Sequence, residues 1–241
     1  MVCEYCEEVQ KEAFNFCSNC GKQNKQALLE EKDRREKGDK NLKFLSYYSI
    51  VTVVSLIAYN LIDSSKLTII VSFSIFAIID LVFAFYQKEV FSLFRFKRIN
   101  IKVLIGTVLL CVLSGFLVDG MVDWLNTSLF GFDFLIMDEF NEFSYPIITA
   151  ILLYSVFPAF FEELAFRGFV FNNLLAMRGK WPAIMGSTFL FSLVHFSFYS
   201  MLWIFPFGLF LAFLRLRYKT LLYSMVAHFT HNLTVLLIEI S

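Results

Sequence analysis

Residues 146–177 read PIITAILLYSVFPAFFEELAFRGFVFNNLLAM, a run of about 32 residues whose charged members are Glu162, Glu163 and Arg167. As a helix rising 1.5 Å per residue it would span roughly 48 Å, against roughly 30 Å of bilayer hydrocarbon. Pro158 lies near its middle, so the run predicts either one bent helix or two shorter elements. Outward from it, further apolar blocks fall at 42–62, 67–86, 101–123, 182–198, 200–214 and 220–239. The 241 residues are 58% hydrophobic and 17% charged, with 31 Phe, and the mean hydropathy is +0.64. Soluble domains run at about 45–50% apolar and about 25% charged. The pattern predicts an all-α polytopic membrane protein with about seven to eight transmembrane helices.

Charge supports that reading. Lys+Arg and Asp+Glu both number 21, so the net charge is zero and no basic surface suggests nucleic acid. With seven crossings and the N-terminus in the cytoplasm, Lys and Arg at 11–43, 88–102, 178–180 and 215–219 share one side, which is 19 of 21. Lys66 is then outside and Arg167 lies within the membrane. Asp119 to Glu142 carries six acids and no Lys or Arg, as an external loop should. Two full crossings in 146–177 would move Arg178 and Lys180 outside, which favours one.

At the N-terminus, Cys3-x-x-Cys6 and Cys17-x-x-Cys20 stand ten residues apart. That spacing lets two tight knuckles aim four thiolates at one tetrahedral ion. Residues 1–24 are too few to bury a core, so a head of this kind folds around its metal. A pair of redox dithiols or a labile cluster site is the competing reading. The head resembles a short zinc ribbon, in which each half often reads Cys-x-x-Cys-Gly; Cys20-Gly21 keeps the glycine and Cys6-Glu7 does not. The resemblance implies structural zinc on Cys3, Cys6, Cys17 and Cys20, facing a reducing cytoplasm. Residues 25–41 form a charged juxtamembrane linker: Glu30/Arg34, Glu31/Arg35 and Glu36/Lys40 are i,i+4 pairs that favour a solvated helix, and its bases suit anionic lipid head groups. Residues 42–241 are the membrane domain. Its Cys111 reads as a packing residue.

Ionisable groups inside a membrane need a partner or a task. Glu163 and Arg167 are i,i+4 in the favourable order and predict a structural pair. Glu162 lies about 100° round the helix, which turns it elsewhere and suits it to proton transfer. All three histidines fall in the same domain, in Phe191-x-x-x-His195 and in His228-x-x-His231-Asn232. At four-residue spacing His228 and Asn232 share one helix face, while His231 reads as a supporting or interfacial residue.

Glu162-Glu163-x-x-x-Arg167, Phe191-x-x-x-His195 and His228-x-x-x-Asn232, in that order, resemble the three motifs of the CPBP intramembrane protease family. This is the CAAX protease and bacteriocin-processing, or Abi, family, and the resemblance covers about residues 100–240. It implies a helical membrane fold with a water-filled cavity and peptide-bond hydrolysis inside it, with Glu162, Glu163, Arg167, His195, His228 and Asn232 as site residues. Two mechanisms stay open. In one, Glu162 takes a proton from water, His195 orients that water, and His228 with Asn232 donates to the oxyanion. In the other, Glu162, His195 and His228 hold a divalent metal as a His₂Glu set. No His-Glu-x-x-His helix is present. The expected partners are a hydrophobic peptide or membrane-protein substrate, membrane lipid, and a cytoplasmic partner of the ribbon. The expected location is the plasma membrane, multi-pass. A non-catalytic scaffold or immunity factor and a transporter are the rival readings; no internal repeat supports the last.

Overall fold

The computed structural model describes residues 2, 6–7, 16–22, 25–61, 65–96, 99–130, 135–195 and 199–241. Cys3 and the side chains of Glu30, Glu31, Arg34 and Arg35 lie outside the described residues. The chain divides into two units, Met1–Ser46 and Tyr47–Ser241.

Among the described residues seven long helices account for most of the chain. They are α1 Lys25–Leu61, α2 Lys66–Tyr86, α3 Ile101–Leu125, α4 Pro146–Arg178, α5 Lys180–Leu193, α6 Met201–Tyr218 and α7 Leu222–Glu239. The protein is an all-α polytopic membrane protein. Four helices, α2, α3, α4 and α6, are long and apolar enough to cross a bilayer. α7 has 18 residues, and its apolar content is diluted by His228, His231 and Asn232.

Local chemistry places the ends. Ser65 caps α2 by accepting from the Thr68 amide at 3.3 Å, and Asn100 caps α3 by accepting from Lys102 at 3.0 Å. The α4–α5 turn needs φ +83 at residue 179, which glycine supplies without strain. At the far end of α7, the Glu239 carboxylate accepts from the amides of Ile136 and Met137 at 2.8 and 2.7 Å. That bond pair ties the loop before α4 to the last turn of α7.

The long run at 146–177 is one helix. Its ladder loosens twice into π-helical register, over Ile151–Val156 and Glu163–Val170, with Pro158 just after the first segment. Proline brings no N–H to the ladder, and π segments mark such interruptions and recur at functional sites. α4 runs through the middle of the second unit: Glu163 through Val170 are all buried. α5, α6 and α7 all pack against it. Against α3, α7 lies close, and a Cβ at Gly115 would come within 2.7 Å of Thr234.

Candidate functional site

Two successive acids on α4 meet different surroundings. The Glu163 side chain is 0% exposed, whereas that of Glu162 is 21% exposed and faces a cavity of about 1040 Å³. The i,i+4 pairing expected of Glu163 and Arg167 is present, with Arg167 Nη1 donating to Glu163 Oε1 at 2.9 Å. It is not bidentate. Nη2 instead donates to the Gly208 carbonyl on α6 at 3.2 Å, and the guanidinium lies 4.0 Å from the Phe191 ring centroid. A side chain at 208 would press on that guanidinium, since a Cβ there falls 3.2 Å from Nη2.

Glu163 has a second partner across the bundle. His228 Nδ1 donates to the same Oε1 at 3.0 Å, so the imidazole is held from behind by Glu163, itself held by Arg167. With Nδ1 occupied, Nε2 points at Glu162, 3.9 Å from its Oε2. That oxygen has no hydrogen-bond partner among the described residues.

His195 follows the last turn of α5, and its Nδ1 donates to the Phe191 carbonyl at 2.8 Å, which fixes the proton on that nitrogen because a carbonyl only accepts. Phe191 packs edge-on against both imidazoles, at 5.1 Å from His195 and 5.8 Å from His228. One aromatic ring therefore meets Arg167 and two histidines. Asn232 Nδ2 donates to the Tyr154 carbonyl at 2.9 Å. His231 Nδ1 is 2.7 Å from Ser114 Oγ on α3, its ring stacks on Phe207, and it lines the same cavity as His195 and His228.

Glu162, His195, His228 and Asn232 thus line one cavity with apolar walls that include Phe73, Trp203 and Phe207. Glu163 and Arg167 lie behind that wall. Asp119, Asp123, Glu139 and Glu239 line the same cavity, and burial pushes the Glu139 carboxyl up from its ordinary range. Asp80 is a further ionisable residue of this domain, and its place within an apolar run is its signal in the sequence. Asp80 is buried and accepts from the Tyr48 hydroxyl at 2.8 Å, joining α2 to α1.

Metal fit differs between the two cysteine and histidine sets. The thiols of Cys6, Cys17 and Cys20 lie within 4.8 Å of one another, and the Cys6 and Cys17 sulfurs are 3.6 Å apart. Zn–S bonds of about 2.3 Å in tetrahedral array put sulfurs about 3.8 Å apart, so the set fits a thiolate metal site. Among the described residues it is the one such group, and the donor atoms of Glu162, His195 and His228 are not gathered to that distance.

Residues 144–234 match the family model described as type II CAAX prenyl endopeptidase Rce1-like, a stretch that contains every motif residue from Glu162 to Asn232. No curated protein and no solved structure matches the chain. Over residues 144–234 this membrane protein is therefore similar to the Rce1-like type II CAAX prenyl endopeptidases of the CPBP family, and its N-terminal cysteine cluster fits a zinc ribbon.

Proposed function

We propose that the protein is an intramembrane endopeptidase in which Glu162 activates water against a peptide bond of a hydrophobic peptide or membrane protein. The observation that carries this is the opposition of Glu162 and His228 across 3.9 Å at a cavity wall, with His228 braced by Glu163 and Arg167. A water within about 2.8 Å of both atoms closes a triangle on that 3.9 Å side. Glu162 takes its proton while the oxygen attacks the carbonyl carbon. His228, when protonated, donates from Nε2 to the oxyanion. His195 Nε2, the acceptor nitrogen of its fixed tautomer, orients the water. The C–N bond then breaks, and Glu162 returns the proton to the departing amine. Glu163 and Arg167 hold the imidazole and do not meet the substrate.

Apolar walls and a large cavity suit an extended hydrophobic segment. The charge distribution favours a multi-pass protein with its N-terminus in the cytoplasm, and the plasma membrane is the location we propose for it. Incubation of the purified protein with a library of hydrophobic peptides in ¹⁸O-enriched water tests the reaction. One ¹⁸O enters each new carboxyl terminus if water is the nucleophile; absence of any cleaved peptide contradicts the proposal.

For the ribbon, Cys6, Cys17 and Cys20 with Cys3 would hold structural zinc on the cytoplasmic side, where the head could dock a partner. The metal supplies the fold that 24 residues lack. Maleimide labelling of Cys6, Cys17 and Cys20 should be slow in the zinc-loaded protein and fast after chelation, with about one zinc per chain released. Equal rates before and after chelation would contradict this role.

A further inference from the structure

We propose that Arg215 is a positioning residue: from α6 it takes up the Arg167 carbonyl, which the π-helical turn of α4 leaves without an amide, and so steadies the Arg167–Glu163–His228 brace behind Glu162. This rests on the protease reading above, and it gives a part in that reaction to a side chain that does not line the cavity.

The second π-helical stretch of α4 covers Glu163–Val170, and α register resumes over Phe171–Arg178. A helix carbonyl takes the amide four residues on in α register and five residues on in π register. For Arg167 the first of these is the Phe171 amide, which donates instead to the Phe166 carbonyl, five residues back. The second is the Asn172 amide, and the π register ends at Val170, one bond short of it. The return to α register therefore passes over the Arg167 carbonyl. A backbone acceptor left open in a buried segment needs a donor from elsewhere. Arg215 supplies it, with Nε donating to the Arg167 oxygen at 3.1 Å. Its Nη2 donates to Asn172 Oδ1 at 2.7 Å, and its guanidinium lies 5.6 Å from the Phe171 ring centroid. One buried side chain thus meets residues on both sides of the register change.

The consequence reaches the site through Arg167. Its Nη1 donates to Glu163 Oε1 at 2.9 Å, and His228 Nδ1 donates to the same oxygen at 3.0 Å. Its Nη2 donates to the Gly208 carbonyl on α6 at 3.2 Å. α6 therefore grips Arg167 twice, by the side chain at Gly208 and by the main chain at Arg215, two turns farther along. With the main-chain grip gone, the turn that carries Arg167 is free to change register. Glu162 and Glu163 move with that turn, and the 3.9 Å separation of Glu162 and His228 is lost. Both acceptors of Arg215 are uncharged oxygens, so the contact uses the planar fork of the guanidinium rather than its charge.

The test uses the full-length protein in bilayer nanodiscs. Arg215→Lys keeps the positive charge at the same depth and loses the fork, which separates hydrogen-bond geometry from charge. Misplacement of a reacting group by about 1 Å costs about 100-fold, so Arg215→Lys and Arg215→Gln should each lower kcat by about 10- to 100-fold with KM within about threefold. Arg217→Gln, at an exposed position on the same helix, should leave kcat unchanged. Hydrogen–deuterium exchange on the same proteins reads the register without any turnover. Arg215→Lys should speed exchange about fivefold or more across 163–172 and leave 101–125 as in the wild type. Undiminished kcat in Arg215→Lys would overturn the proposal, and so would exchange raised equally in both segments, the mark of a general loss of stability. If the wild type shows no Glu162-dependent cleavage, the protease reading falls, and the grip of Arg215 on the register stands or falls on the exchange difference alone.

Discussion

Glu162→Gln should lower turnover by between about 10²- and 10⁴-fold, the range set by loss of a general base, while leaving the melting temperature unchanged. The substitution is isosteric and removes a charge from a side chain that is 21% exposed to the cavity. Its Oε2 has no hydrogen-bond partner among the described residues, so little structure depends on it. The near neighbour is His228 Nε2 at 3.9 Å, beyond hydrogen-bonding distance. Turnover on purified protein and melting in the same detergent check the two halves together. Undiminished turnover would remove Glu162 from the reaction, and a lowered melting temperature would make it a structural residue.

Arg167→Ala should produce the opposite result, a large loss of stability. Arg167 and Glu163 are both 0% exposed and joined at 2.9 Å. Breaking such a pair from one side strands a buried charge and costs about 3–5 kcal/mol. The same change removes the bond to the Gly208 carbonyl and the contact with Phe191. Removing the stranded charge as well should restore part of the loss, so Arg167→Ala with Glu163→Gln should be more stable than Arg167→Ala alone. Unfolding midpoints in mixed detergent check this; a double variant no more stable than the single one would contradict the charge argument. Turnover in the double variant should remain low, because His228 then loses its carboxylate support.

What the sequence makes legible depends on chain separation. The helices follow from runs of apolar residues, and 67–86 and 101–123 reappear as Lys66–Tyr86 and Ile101–Leu125. The Glu163–Arg167 pair follows from i,i+4 spacing, and the divergence of Glu162 from Glu163 follows from helical rotation. Contacts across the bundle carry no such local signature. The bond of His228 to Glu163 joins positions 65 apart, and that of Arg167 to Gly208 joins positions 41 apart. Both had to come from packing. The length of 146–177 left one or two elements open because π-helical segments absorb Pro158 without ending the helix. Asp80 was legible as a lone acid in an apolar run, but its partner Tyr48, 32 positions away, was not.

Hydrolysis at Glu162 leaves newly exposed protein N-termini in the membrane fraction, and these can be counted. Membranes from cells making the wild type are compared with membranes from cells making Glu162→Gln at equal abundance. Termini present with the wild type and missing with Glu162→Gln are the predicted result, and they name the substrate as well. Identical sets of termini from matched, well-expressed samples across several growth conditions would contradict the protease reading.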